Sequence, residues 1–103
     1  MDSEIRLTSP TLRVLKLLME KPLQGRSGAE VSRALSIASG TLYPLLARLE
    51  SAGWVDSEWE KIEPKEEGRP RRRFYKLTGH GQTCASKALA ELQMAPGALS
   101  WTA

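Results

Sequence analysis

The stretch from Ser39 to Gly53, SGTLYPLLARLESAG, constrains this chain more than any other, because only one regular structure gathers its apolar residues on one side. Stepping about 100° per residue with Ser39 as N-cap puts Leu42, Leu45, Leu46, Leu49 and Ala52 on one stripe, the pattern of an amphipathic helix packed on a core. Gly53 supplies the stop, since the residue after a last helical turn is most often a left-handed glycine. Pro44 falls in the second turn and removes the backbone bond to the Gly40 carbonyl, a loss that something else must offset.

The opposite face carries Gly40, Pro44, Ala47 and Ser51 down its middle, with Thr41, Tyr43 and Arg48 on its flanks. Ordinary solvent faces are lined with Lys and Glu. A helix that pushes its backbone into a DNA major groove about 12 Å wide needs short side chains and few acids, and this face meets that requirement.

At 103 residues the chain is expected to form one domain with one modest core. Its net charge of +3 and pI of about 9.3 favour an anionic partner only weakly, because 15 basic and 12 acidic residues are unevenly spread. A lone Cys84 excludes an intramolecular disulfide, and His80 is the one histidine, so no cofactor or structural metal is expected and the cytoplasm is the expected compartment. No apolar run approaches the about 18 residues needed to span a bilayer, and the N-terminus lacks a signal-peptide layout, so no membrane partner is expected.

In chain order, Thr8 or Ser9 caps a helix with Pro10 in its first turn, predicted to run to about Lys21. Its apolar arc, Leu12, Val14, Leu15, Leu17, Leu18 and Met19, is wider than one core requires and leaves Arg13, Lys16 and Glu20 on the wet side. Either the helix is central in a small fold or its second flank meets another subunit. Ser27 and Glu30 have capping-box spacing and open a short second helix with Val31, Ala34 and Leu35 inward. The turn Ser36-Ile37-Ala38 then joins it to the Ser39 helix, which makes a helix-turn-helix.

Beyond Gly53, the alternating segment Trp54 to Glu60 is predicted as a strand with Val55 and Trp59 on one side. Phe74 to Leu77 is predicted as a second, with Tyr75 and Leu77 sharing a face. Lys61 to Pro70 lies between them, too long and polar for a tight turn, and forms a wing. Its acids, Glu63, Glu66 and Glu67, precede Arg69, Arg71, Arg72 and Arg73. Such a run is either a solvated surface or a phosphate and minor-groove contact, for which the arginine fork is suited. The fold class is therefore mainly α with a small β-hairpin (α+β): a winged helix-turn-helix with one C-terminal helix.

The strings GTLYPLLARLESAGWVDSEWE and EGRPRRRFYKLTGHG closely resemble the PadR-like transcriptional regulators, bacterial winged-helix proteins that act mostly as repressors. The resemblance covers about Leu12 to Leu92. It implies that Ser39, Gly40, Thr41 and Tyr43 face bases or phosphates of double-stranded DNA, that Pro44 shapes this surface, and that Arg48 holds the backbone. It also implies wing contacts by Arg69, Arg71, Arg72 and Arg73.

Thr78 is expected to cap a fourth helix that runs to about Met94, with Ala85, Ala88, Leu89 and Leu92 as a narrow inner stripe. Relatives are typically homodimers built through this helix and the first, so Leu12, Leu15, Met19, Ala85, Ala88, Leu89 and Leu92 are the expected dimer contacts, with a palindromic operator as the consequence. The expected divisions are a DNA-binding domain at 1–78, a dimerisation helix at 79–95 and a flexible tail at 96–103. Two readings stand for Trp101 in that tail: a frayed end, or an indole lent to a pocket for a small aromatic effector, as the resemblance implies.

His80 and Cys84 lie four apart, but no further His or Cys completes a metal tetrahedron, and Gly79 and Gly81 suggest a loosely formed first turn. No nucleophile lies at a useful spacing from a base, and no Gly-rich loop cradles phosphate, so the chain is not expected to be an enzyme. The competing function is a winged helix that binds protein. Such a module usually places a large apolar anchor on the outer face of the third helix, where this chain has Gly40, Pro44, Ala47 and Ser51.

Overall fold

The computed structural model describes residues 5–94. Helix α1 (Ser9–Glu20) is followed by the short strand β1 (Arg26–Ser27), α2 (Gly28–Leu35), α3 (Ser39–Ser51) and β2 (Val55–Trp59). A single turn of helix, α4 (Pro64–Glu67), then leads to β3 (Arg73–Leu77) and α5 (Gly79–Met94). The three strands form an antiparallel sheet in the order β1-β3-β2, with Val55 opposite Leu77 and Trp59 opposite Arg73. The result is a winged helix-turn-helix whose hairpin is widened by one strand.

Local chemistry sets the helix ends. Thr8 caps α1, its hydroxyl accepting the Thr11 N–H, with Pro10 in the first turn where no hydrogen-bond donor is needed. Ser27 caps α2 by accepting the Glu30 N–H at 3.1 Å. Ser36 closes α2 in the left-handed conformation at φ 55°, and the Ser32 hydroxyl donates to the Ile37 carbonyl at 2.6 Å to tighten the turn. Arg13, expected on the wet side, is exposed and donates to the Leu35 carbonyl at 2.5 Å, satisfying the end of α2. Gly53 ends α3 at φ +80°, and the Trp54 N–H returns to the Leu49 carbonyl at 2.9 Å.

One core serves every layer. Leu42, Leu45, Leu46 and Leu49 of α3 meet Val14, Leu15 and Leu18 of α1, Val31 of α2, Val55, Tyr75 and Leu77 of the sheet, and Ala85 of α5. At the joint between α3 and α5, the Thr78 hydroxyl donates to the Gly53 carbonyl at 2.6 Å and accepts the Gly81 N–H at 2.9 Å. A Cβ on Gly81 would lie 1.9 Å from the Trp54 carbonyl oxygen, so only glycine permits this approach.

Several expectations are corrected. The N-cap of α3 is Ala38, not Ser39, because Ile37 is buried to anchor the turn and the helix begins one residue earlier than a side-chain cap would place it. Ala34 is exposed rather than inward, leaving Val31 as the buried residue of that stripe and Leu35 half-buried. Trp59 shares the side of Val55 but is 55% exposed, since the core ends before the strand does. Strand β1 and helix α4 carry too short a pattern to have been expected. The first turn of α5 is not loose, because Gly81 is buried against Trp54.

Leu15 and Ala85, expected at a dimer contact, are fully buried inside a single chain, and Ala88 is nearly so. Both helices turn these residues toward the protomer core. Leu12, Met19, Leu89 and Leu92 remain half-buried.

Candidate nucleic-acid interface

The outer surface of α3 follows from its inner one. Four leucines hold the helix down, and on the other side Ser39, Gly40, Thr41, Tyr43, Pro44, Ala47, Arg48 and Ser51 are all exposed. No side chain caps its N-terminus, so the first N–H groups point outward with the positive end of the helix dipole. Nothing lies within 4 Å of where a Cβ on Gly40 would stand, so this corner is open to a ligand.

The two flanks of α3 differ. Tyr43 leans over the start of α2: a Cβ on Gly28 would fall 2.4 Å from the Tyr43 hydroxyl oxygen. Gly28, the first residue of α2, therefore seats Tyr43, a role that no local signal in the sequence marks. On the other flank Arg48 lines an open groove of about 490 Å³ with Ile5, Arg6, Thr8, Thr11, Leu45 and Leu49.

The four wing arginines, alike in sequence, are placed differently. Arg69 donates to both carboxylate oxygens of Glu60, at 2.7 and 2.9 Å, in a forked pair. Glu60 also accepts the Arg72 N–H at 3.2 Å. Mainly through the Arg69 hydrogen bonds, its carboxyl is held down to about 2, from an ordinary 4.5. Arg71 donates from Nε to the Ile62 carbonyl at 3.1 Å and is otherwise exposed. Arg72 is exposed, with no side-chain ion pair among the described residues. Arg73 lies 5.0 Å over the Trp59 ring and donates from Nε to the Ser57 hydroxyl at 2.9 Å. Glu60 was not legible in sequence as part of this surface, because its partner is nine residues away across the hairpin.

Elsewhere, Cys84 Sγ lies 3.6 Å from His80 Nε2, and the imidazole meets Trp54 edge-on at 6.4 Å. Among the described residues no group of three or more His, Cys, Asp or Glu side chains is placed to hold a metal, and no helix is long and apolar enough to cross a membrane. Burial pushes the Tyr75 phenol up from its ordinary value. Trp101 lies outside the described residues.

Solved structures with this architecture include a transcriptional regulator from Clostridium thermocellum, 27% identical, covering 82% of this chain and 82% of its own, at a TM-score of 0.66. AbfR of Staphylococcus epidermidis is 28% identical over 82% of this chain, at a TM-score of 0.64, and this chain spans only 51% of AbfR. Reduced AbfR has been solved bound to DNA, and that form matches with 27% identity over 82% of this chain and 59% of AbfR, at a TM-score of 0.63. A PadR-like transcription factor from Bacteroides fragilis shares the fold, at 22% identity over 91% of this chain and 92% of its own, with a TM-score of 0.68. No curated protein matches the chain in sequence. The model of the transcriptional regulator PadR-like family matches residues 14–87, a span that includes the helix-turn-helix, the wing and most of α5, and the chain belongs to that family.

Proposed function

We propose that this protein is a sequence-specific double-stranded DNA-binding repressor that works in the cytoplasm as a homodimer on a palindromic operator. The observation that carries the reading is the outer face of α3: bare, exposed, uncapped at its N-terminus and seated on four buried leucines. Ser39 and Gly40 offer backbone N–H groups to phosphate, Thr41 and the exposed part of the Tyr43 ring meet base edges, and Pro44 keeps the centre of the face free of a long side chain. Arg48 takes one phosphate rim of the groove, while Arg71 and Arg72 extend from the wing to the other side. The DNA-bound form of AbfR supports the reading by analogy.

Dimerisation through α1 and α5 uses Leu12, Met19, Leu89 and Leu92, which are half-buried in one chain. Repression then needs only occlusion of a promoter. A small aromatic effector held near Trp101 remains part of the proposal, and isothermal titration with flat aromatic acids tests it.

Selection from a random duplex pool over a salt series is the decisive experiment. A two-fold symmetric site with half-sites about one helical turn apart supports the reading. Retention without sequence preference that vanishes by about physiological salt overturns it. The second reading, a protein-interaction module, rests on Leu23 and Trp59, which are 86% and 55% exposed. Truncating Leu23, which makes no contact with the wing arginines among the described residues, without effect on operator binding separates it from the first.

A further inference from the structure

We propose that Glu50 and Arg73 are positioning residues that set the angle between the wing and α3, so that operator discrimination depends on a pair that touches neither base nor phosphate. The inference rests on the DNA-binding reading above and extends it to residues whose role there is indirect.

Glu50 leaves α3 on the flank opposite Arg48, toward the sheet. Its Oε2 accepts the Ser57 hydroxyl proton at 2.7 Å, and Ser57 Oγ in turn accepts from Arg73 Nε at 2.9 Å. The terminal nitrogen of Arg73 lies 3.7 Å from the same Glu50 oxygen, and its guanidinium stacks 5.0 Å over Trp59, its register partner across the strands. One side chain from α3, two from β2 and one from β3 thus form a closed network at the root of the wing. Within it Arg73 makes a hydrogen bond to Ser57, an ion pair with Glu50 and a stack on Trp59, so turning this guanidinium to a phosphate would break all three together.

The lever explains why such a network matters. A point about 17 Å beyond the root, the reach of about five extended residues, moves by about 3 Å when the root rotates by about 10°, enough to break a phosphate hydrogen bond. Apolar packing does not prevent this rotation at the outer end of β2, where Trp59 is exposed and α4 buries nothing. The pair is itself about one-third exposed on each side. It contributes little to global stability, and what it supplies is geometry.

The test compares Arg73→Lys and Arg73→Ala in the full chain, on the selected operator and on random duplex, across a salt series. Lysine keeps the charge but lacks the planar fork and the stack. Both variants are expected to lower the operator-to-random preference about tenfold, as coupled contacts do, while the salt slope on random duplex stays unchanged. Glu50→Gln is expected to add little to either variant, because the same network is already broken.

The proposal is overturned if Arg73→Lys behaves as the wild type while Arg73→Ala flattens the random-duplex slope by about one unit, the mark of a direct phosphate contact. It is equally overturned if neither variant changes the preference. Amide hydrogen exchange across residues 60–72 without DNA gives an independent readout, faster in both variants if the network holds the wing and unchanged if it does not. Faster exchange in a chain that selects no duplex would refute the DNA-binding reading and leave the positioning role standing.

Discussion

The outer face of α3 and the wing are both polar and both lie open to solvent, yet they are held in different ways. Apolar contacts behind α3 fix its position, so none of its outward side chains is needed to support it. The wing has no such backing, because α4 buries no residue. It is shaped instead by its own charged side chains: Arg69 closes on Glu60, and Arg73 closes on Glu50, Ser57 and Trp59. A surface backed by a core keeps its polar groups for a partner. A surface without one uses some of them on itself, and only the remainder, here Arg72 and the terminal nitrogens of Arg71, is left to reach outward.

The largest test breaks the support of α3. Leu46→Ala empties a fully buried position and is expected to lower stability by about 2–5 kcal/mol, measured by chemical denaturation, with DNA binding failing together with the fold. Thr41→Ala sharpens the comparison by leaving the support intact. We expect it to remove about 1–3 kcal/mol of discrimination at one base pair, with random-duplex affinity unchanged. Equal loss on all sequences would move Thr41 from base readout to backbone contact.

Within the wing the expected effects are smaller and of two kinds. Arg71→Ala should flatten the salt slope of binding by about one unit, whereas Arg69→Ala should leave the slope in place. If Arg69→Ala flattens it equally, the arginines are not divided as described. The smallest effect is the pH response of the Glu60 latch. Its carboxyl is depressed from 4.5 to about 2 in the folded chain, so its contribution is complete above about 4.5 and fades as pH falls toward 2. Carboxyl carbon shifts followed by NMR should show this low midpoint in the wild type and an ordinary one in Arg69→Ala.

Much of the fold was legible in the sequence because its signals are local and periodic. The leucine stripe at 42, 45, 46 and 49, the Ser27 cap and the Gly53 stop each act over a turn or two, and the structure has them where expected. Misplacements came where tertiary demand overrode a local preference. Ser39 has the chemistry of a cap, but burial of Ile37 sets the turn so that Ala38 takes the position. Trp59 has the pattern of a core strand residue, but β2 outruns the core. The candidate site was legible on α3 for the same reason the helix was, since an outer face is the complement of an inner one.

What the residues alone settled, then, is everything that periodicity and backbone chemistry can carry: the helix-turn-helix, the hairpin, and the bare face of α3. Composition also placed four arginines in the wing without telling them apart. Their division was decided only in three dimensions, because it depends on which carboxylates and rings the fold brings beside each one. Glu60 is nine residues from Arg69 in the chain and Glu50 is on a different element from Arg73, yet the first pair closes across the hairpin and the second joins α3 to β3. Pairing between side chains distant in sequence leaves no periodic trace, so the roles of these charges belong to the tertiary structure.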